Sequence, residues 1–255
     1  MTDQKTGLRR ILITGSSSGI GAALARRLAG PDVSILVHAR RNRDGAERVA
    51  ADLRAAGAQV ETAFGDLGDA GVPGRLVETA VAAFGGLDAV VANAGWADRA
   101  DLLSSSDETL AVAHTGIAGS FVALARAALP HLEAGSGGRI VAVSAFGAHV
   151  FRPGVMAFPV TAAAKAALET HVRSLAFSLA ARGITVNAVA PGFIEKEKGT
   201  SSALTEENRQ AIVSAIPMAR LGTADEVAAV IAFLLSKDAA YVTGQVIHVA
   251  GGLVI

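Results

Sequence analysis

Short runs rich in β-branched residues alternate with longer alanine-rich stretches along the chain. The first run, Arg10 to Thr14, precedes a helical pattern that ends near Ala29, and the second, Val33 to Ala39, precedes one that ends near Ala56. Later runs are Val60 to Gly65, Leu87 to Ala92, Arg139 to Ser144, Ile184 to Ala190 and Gln245 to Val249. Parallel strands need crossover helices, so this alternation predicts an α/β fold, a doubly wound parallel sheet of about seven strands with helices on both faces.

The composition agrees with such a sheet and excludes several other classes of protein. Hydrophobic residues make up 51% of the 255 residues, and the candidate strands are almost continuously apolar, as in a sheet covered on both faces. We expect a single domain over residues 1–255. Basic and acidic residues balance at 23 each, so we expect a small-molecule partner rather than nucleic acid or a membrane. The absence of cysteine excludes thiolate catalysis and zinc–cysteine sites, and the six histidines show no metal-ligand spacing.

Polar residues dominate two stretches of the chain. Residues 1–10 are polar and lack the apolar core of a signal peptide, and no apolar run reaches the roughly 18 residues of a membrane span. We therefore expect a cytoplasmic protein. The stretch from Phe193 to Ala203 follows a candidate strand and is either a mobile lid or a solvated loop.

A glycine-rich turn, Thr14-Gly15-Ser16-Ser17-Ser18-Gly19-Ile20-Gly21, joins the first candidate strand to the first helix. Glycines there permit positive φ and let backbone amides approach a pyrophosphate at a helix N-terminus, where the helix dipole favours negative charge. Because the turn directly follows an N-terminal strand, it predicts nucleotide binding and a Rossmann-like fold. The candidate nucleotide-binding residues of the turn are Gly15, Ser17, Ser18, Gly19, Ile20 and Gly21.

The spacing of the three glycines, Gly-x-x-x-Gly-x-Gly, resembles that of the short-chain dehydrogenase/reductase family. Further matches are Asp66-Leu67, Asn93-Ala94-Gly95, Pro191-Gly192 and the closing Tyr241-Val242-Thr243-Gly244-Gln245 and Gly251-Gly252. The resemblance covers nearly the whole chain and implies a nicotinamide cofactor, with Asp66 beside the adenine. The other residues that it implies for the cofactor are Leu67, Asn93, Ala94, Gly95, Lys165, Pro191, Gly192 and Ile194.

The end of the second candidate strand bears on the choice of cofactor. Enzymes that use NAD usually place an acidic residue there to accept the ribose hydroxyls, whereas this chain has Ala39 followed by Arg40 and Arg41. Two arginines beside a missing carboxylate favour a site for the 2′-phosphate of NADPH. The alternative is that both arginines only begin a solvated helix.

The resemblance also implies a reaction centre, from which this chain departs at several positions. In the family, a tyrosine four residues before a lysine donates a proton to the developing alkoxide, and an asparagine anchors a proton relay. Lys165 matches the lysine, but Thr161 stands at the tyrosine position and Gly116 at the asparagine position. Lys196 stands where a threonine usually holds the nicotinamide amide. A threonine hydroxyl is far less acidic than a phenol, so Thr161 can relay or bond a proton but cannot replace the tyrosine.

The position of the family's catalytic serine stays open between two residues. Counting from Gly138 gives Ala145, whereas a slip of one residue gives Ser144, and adjacent strand residues face opposite sides. The candidate catalytic residues are therefore Lys165, Ser144 and Thr161. His149, in the following loop, either donates a proton near neutral pH or is a solvated loop histidine.

Large apolar side chains follow several strand ends, where an α/β sheet places its ligand crevice. These residues are Trp96, Phe146, Phe151, Phe158, Phe193 and Met218. Together they indicate a pocket for a large, flat, apolar substrate. The resemblance also implies a homo-oligomer, a dimer or tetramer, formed through the helices around Val112 to Leu132 and Thr161 to Ala181.

The leading functional hypothesis is an NADPH-dependent ketoreductase that takes its proton from water, from Ser144 or Thr161, or from a phenol of the substrate. A polycyclic aromatic polyketide ketone of secondary metabolism, such as antibiotic biosynthesis, would suit that chemistry. Two alternatives stay open. One is a non-redox cyclase, dehydratase or isomerase on the same scaffold, and the other is a non-enzymatic sensor that binds NADPH.

Overall fold

The sheet of the computed structural model is parallel throughout. The structure describes residues 10–135, 137–195 and 206–255, and within these ranges seven strands lie in the order β3-β2-β1-β4-β5-β6-β7. The strands are β1 (Arg10–Ile13), β2 (Ser34–Ala39), β3 (Gln59–Phe64), β4 (Ala89–Ala92), β5 (Arg139–Val143), β6 (Thr185–Pro191) and β7 (Val246–Val249). All neighbours pair in parallel. The predicted doubly wound α/β fold is confirmed.

Helices cover both faces of the sheet, and local sequence sets several of their ends. They are α1 (Gly19–Leu28), α2 (Arg43–Ala55), α3 (Val72–Phe84), α4 (Asp107–His114), α5 (Ser120–Glu133), α6 (Pro159–Leu179), α7 (Glu206–Ser214) and α8 (Ala224–Leu235). The Ser106 side chain caps α4 by accepting the Thr109 N–H, and Thr223 forms a capping box with Glu226 at the start of α8. A π-helical turn, Thr115–Gly119, joins α4 to α5.

Two apolar layers hold the sheet between the helices. Buried side chains of α3, α5 and α6 pack on one face around Phe121, and those of α1, α2 and α8 pack on the other around Ile13. The strands are buried on both faces, so their sequences are apolar at successive positions. A third, smaller apolar cluster around Phe146 and Leu253 lies beyond the carboxyl ends of the strands.

The strand ends lie within two residues of the positions expected from the sequence. One difference affects the site, because β5 ends at Val143 and Ser144 follows it, although the Ser144 N–H still donates to the Val189 carbonyl. Most of the polar stretch from Phe193 to Ala203, including Lys196, lies outside the described residues.

The stretch Asp107–Glu133 is the one candidate membrane span in the described part of the chain. Contrary to the expectation from the sequence, it is long and apolar enough to cross a bilayer, with a mean hydropathy of 1.3 over its most apolar window. Core helices of globular proteins meet the same criterion, and here Phe121, Leu124, Ala128 and Leu132 are buried against the sheet. The packing therefore accounts for the apolar composition.

We expect Phe121→Ala to lower the free energy of unfolding by about 3–5 kcal/mol, because the side chain is buried and its loss leaves a cavity. Arg126→Ala, an exposed position on the same helix, should change it by less than about 0.5 kcal/mol. Urea denaturation followed by circular dichroism measures both. Equally small changes in the free energy of unfolding for both variants would contradict the packing of α5 against the sheet.

Candidate active site

The candidate site lies at the carboxyl ends of the strands, where the strand order reverses between β1 and β4. Open α/β sheets bind ligands at this switch point. Thr14 and Asn93 hold the two strand ends together. The Thr14 Oγ1 accepts the N–H groups of Asn93 and Ala94 at 3.0 and 3.1 Å, and the Asn93 Nδ2 donates to the carbonyls of Thr14 and Gly15 at 2.9 and 3.0 Å. The Asn93 side chain therefore fixes the two carbonyls at the start of the glycine turn.

The glycine turn has the form that a pyrophosphate needs. A Cβ on Gly15 would lie 2.8 Å from the Ala94 Cα, and one on Gly21 would lie 2.6 Å from the Asn93 Nδ2, so both positions require glycine. Gly19 has a φ of +56° and faces open space. Ser18, the N-cap residue of α1, makes no side-chain capping bond to the helix N-terminus. The first turn of α1, with Ile20, thus offers its N–H groups to an anion.

His38 fixes the turn from the neighbouring strand, a role that the sequence did not reveal. Its Nδ1 accepts the Gly15 N–H at 3.2 Å, so the Nε2–H donates to the Gly65 carbonyl at 3.0 Å. Burial lowers the pKa of His38, which favours this neutral form. The only sign of this role in the sequence is a histidine at the end of an apolar strand.

Polar groups surround the end of β2, where the sequence predicted the 2′-phosphate. Ala39 is buried, whereas Arg40 and Arg41 are exposed. The Arg40 guanidinium lies 3.4 Å from the Asp66 carboxylate, and the Asn42 Nδ2 donates to the Ser17 Oγ at 3.3 Å. The turn, the β2 end and Asp66 therefore meet at one edge of the crevice.

Lys165 is buried between two strand ends. Its Nζ donates to the Val143 carbonyl, and a Cβ on Gly95 would lie 3.2 Å from this Nζ. Burial lowers the pKa of Lys165 to about 8, against an opposing effect of the Glu169 carboxylate. The ammonium group is thus placed beside the Asn93-Ala94-Gly95 turn, with a pKa near physiological pH.

Thr161 holds the loop that follows β4. Its Oγ1 accepts the Asp98 N–H at 2.9 Å and donates to the Trp96 carbonyl at 3.3 Å. The threonine is buried, and both bonds are partly buried. The hydroxyl expected to relay a proton is therefore engaged by the backbone of this loop.

Gly116 makes room for the same loop. A Cβ at this position would lie 2.8 Å from the Trp96 Cη2, so the indole occupies the space that any side chain on residue 116 would need. Trp96 is nevertheless 39% exposed. The departures at Thr161 and Gly116 are thus physically linked through Trp96.

Ser144 bonds to a buried carboxylate of α6. Its hydroxyl donates at 2.5 Å to the Oε1 of Glu169, a buried residue one turn after Lys165 on α6. The same Oε1 lies 2.9 Å from the His149 Nε2. The proton of the Ser144 hydroxyl is therefore engaged by Glu169. Ala145 is partly exposed, with an extended backbone. Sequence reasoning missed Glu169, although its spacing of four from Lys165 places both on one helix face.

The remaining predicted residues line the crevice or support it. Leu67 is buried beneath the end of β3, and Pro191 ends β6. A Cβ on Gly192 would lie 2.8 Å from the Ala250 Cα, and Ile194 forms a bridge with Gly222. Among the predicted pocket residues, the ring centroid of Phe146 lies 4.5 Å from that of Phe193 and 6.3 Å from that of Phe158. Phe151 and Met218 are mainly exposed instead.

We expect Gly116→Ala to displace the Trp96 indole and shift its fluorescence emission to longer wavelength, because the new methyl group would overlap the ring. Trp96 is the only tryptophan of the chain, so the emission reports on it alone. Gly119→Ala is the matched control, since a Cβ there meets nothing closer than 3.7 Å. An unchanged emission spectrum in Gly116→Ala would contradict the contact.

Comparison with known proteins agrees with this geometry. A family model described as enoyl-(acyl carrier protein) reductase matches residues 15–254. A 3-oxoacyl-(acyl-carrier-protein) reductase of Staphylococcus aureus is 36% identical over 243 residues, 95% of this chain and 96% of the relative. A short-chain dehydrogenase of Burkholderia cenocepacia, solved with NADP, has a TM-score of 0.88 at 30% identity and covers 98% of this chain and 99% of its own. A mutant short-chain dehydrogenase/reductase of Serratia marcescens has a TM-score of 0.89 at 29% identity, with coverage of 98% and 99%. The chain therefore belongs to the short-chain dehydrogenase/reductase family of oxidoreductases.

Proposed function

We propose that this protein is an NADPH-dependent ketoreductase whose proton donor is not a tyrosine. The proposal depends on one observation. A glycine turn suited to a nucleotide lies near a buried lysine, and the site has no tyrosine. The Asn93 side chain bonds to the glycine turn, and the buried lysine is Lys165. Tyr241, the only tyrosine of the chain, is fully exposed.

The residues of the crevice fit the parts of NADPH, which supplies the hydride when it is bound. The N–H groups at the start of α1 suit the pyrophosphate, and Asp66 suits the adenine. Arg40 and Arg41, with Ser17 and Asn42 beside them, suit the 2′-phosphate. The other residues assigned to the cofactor are Ala94, Gly95 and Lys165 near the ribose and Pro191, Gly192 and Ile194 near the nicotinamide. The NADP in the Burkholderia cenocepacia relative supports this choice.

Hydrogen bonds within the site bear on which group donates the proton to the alkoxide. The hydroxyls of Ser144 and Thr161 are both engaged by internal partners. Water or a phenol of the substrate is therefore better placed to protonate the alkoxide. The Lys165 ammonium stabilises that alkoxide, because a preformed positive charge in a buried site lowers the barrier where negative charge develops.

Aromatic side chains around the crevice favour a flat, apolar ketone. Trp96 lies on the loop after β4, next to Gly95, which faces the Lys165 ammonium group, and Phe146, Phe158 and Phe193 form an apolar cluster beyond the strand ends. A polycyclic aromatic polyketide fits these surfaces, and its phenols can donate the missing proton. The name of the Staphylococcus aureus relative adds 3-oxoacyl thioesters to the ketones that should be tested.

Exposed apolar side chains favour a homo-oligomer. Val112 on α4 is 55% exposed and Phe177 on α6 is 90% exposed. Both lie on or beside the helices that the sequence predicted to pack across a two-fold axis, and such packing would remove these side chains from water.

We expect the protein to bind NADPH more tightly than NADH and to oxidise NADPH when a hydroxylated aromatic ketone, a quinone or a 3-oxoacyl thioester is added. Binding is measured by titration of NADPH fluorescence, and turnover by loss of NADPH absorbance. Product without NADPH oxidation would favour the non-redox alternative. Tight binding with no turnover of any substrate would favour the sensor.

Arg40→Ala supplies the control for the cofactor in the same assay. Loss of a charge-assisted bond to the 2′-phosphate should raise the KM for NADPH by about tenfold and leave that for NADH unchanged. Arg27→Ala, at an exposed position on α1, should change neither value.

A further inference from the structure

His38 is a buried titratable residue whose two ring nitrogens both have a partner. It is 1% exposed and lies near the end of β2. The Gly15 N–H donates to the Nδ1 at 3.2 Å, and the Nε2 lies 3.0 Å from the Gly65 carbonyl. A backbone N–H can only donate, and a carbonyl can only accept. These two partners therefore require the neutral ring with its proton on Nε2, because an imidazolium has a donor at both nitrogens.

The main chain of His38 is bonded to the same glycine turn. The His38 N–H donates to the Ser16 Oγ at 3.0 Å, and the Ser16 N–H donates to the His38 carbonyl at 2.9 Å. The Ser16 hydroxyl donates in turn to the Ile13 carbonyl at 2.7 Å. Because these bonds fix the backbone of His38 beside the turn, a change at its ring acts on the turn directly.

Gly15 has little freedom to adapt to such a change. Its carbonyl accepts a bond from the Asn93 Nδ2 at 3.0 Å, while its N–H is bonded to His38. A Cβ on Gly15 would lie 2.8 Å from the Ala94 Cα, so the backbone is closely packed on that side. A second proton on the His38 ring would set two N–H donors against each other, and a buried N–H without an acceptor is costly. Protonation of His38 therefore disturbs the turn.

The charged groups around His38 leave burial as the main influence on its proton. Burial lowers the pKa of His38 from its ordinary value of 6.5, against the opposing effects of the bond to the Gly65 carbonyl and of the Asp66 carboxylate. Arg40 lies 3.4 Å from that carboxylate. The glycine turn and the start of α3, where Val72 packs against Gly65, present uncharged groups. The ring therefore takes up its second proton below pH 6.5.

We propose that NADPH binds to the form of the protein in which His38 is neutral, so that uptake of one proton by this ring weakens the cofactor site. The inference rests on the proposed function, because it concerns the binding of NADPH. His38 acts as a positioning residue, through Gly15. The negative charge of the cofactor acts in the opposite direction, because a nearby anion favours an imidazolium. We expect the direct contact at 3.2 Å between the ring and the Gly15 nitrogen to outweigh it.

The test measures the Kd of NADP⁺, which withstands acid better than NADPH, by calorimetry at pH 7.5 and pH 5.5, with circular dichroism at each pH as the check of folding. In His38→Asn the Oδ1 can accept the Gly15 N–H, but the side chain does not titrate. We expect the Kd to rise between pH 7.5 and pH 5.5 by a factor about three to ten times larger in the wild type than in His38→Asn. The 2′-phosphate of the ligand, with a second ionisation near pH 6, affects both proteins equally.

Two further variants separate the acceptor from the bulk of the ring. His38→Leu offers no acceptor to Gly15, so at pH 7.5 it should bind NADP⁺ more weakly than His38→Asn does. His131→Asn is the matched control, because it lies near the end of α5, which leads into the amino end of β5 at the opposite edge of the sheet. Its Kd should change with pH as that of the wild type does.

The outcomes separate this proposal from the function on which it rests. Failure of the wild type to bind NADP⁺ or NADPH at pH 7.5 would contradict both. If the wild type binds, an equal change of Kd with pH in the wild type and His38→Asn overturns the role of His38 alone. A smaller rise in the wild type means that the charge of the cofactor outweighs the contact with Gly15, which also overturns it.

A measurement on the wild type alone decides if His38→Asn does not fold. NAD⁺ lacks the 2′-phosphate, so a change in its Kd between pH 7.5 and pH 5.5 comes from the protein. We expect weaker binding of NAD⁺ at pH 5.5. Equal or tighter binding there would overturn the proposal.

Discussion

The clamp between Thr14 and Asn93 is the interaction on which the rest of the site depends. It joins β1 to β4 where the strand order reverses, and two of its four hydrogen bonds fix the carbonyls of Thr14 and Gly15. With these carbonyls held from inside, the N–H groups at the start of α1 face outward. His38 adds the third support, from β2. The geometry of the turn is thus set by bonds within the protein, and such preorganisation suits the anion binding proposed for it.

The reaction centre follows from the same strand end. The loop that leaves β4 carries Trp96, and the residues at positions 161 and 116 both contact it. Thr161 bonds the backbone of the loop, and Gly116 leaves space for the indole. An asparagine at position 116 would compete with Trp96 for volume, because even a Cβ there would overlap the indole. Thr161 and Gly116 therefore both contact the loop that carries Trp96.

The scaffold was predictable from the sequence because its signals are local. Apolar runs, helix patterns and the glycine turn each depend on neighbouring residues, and they gave the strands to within two residues. The contacts of the candidate active site were not predictable, because they join residues that are far apart in the sequence. The Ser144 hydroxyl bonds to Glu169, 25 residues later, and Gly116 packs against Trp96, 20 residues earlier. The role of His149 is ambiguous in the sequence for the same reason, because its carboxylate partner lies on α6.

The replacement Thr161→Tyr tests most directly whether the site is built around its threonine. We expect turnover with NADPH and the best ketone to fall, because a buried phenol would break the bonds to the Asp98 N–H and the Trp96 carbonyl and move the loop. Thr161→Ser retains the hydroxyl and should stay close to the wild type. A rise in turnover in Thr161→Tyr would contradict this view and show an ordinary tyrosine-dependent site that has lost its proton donor.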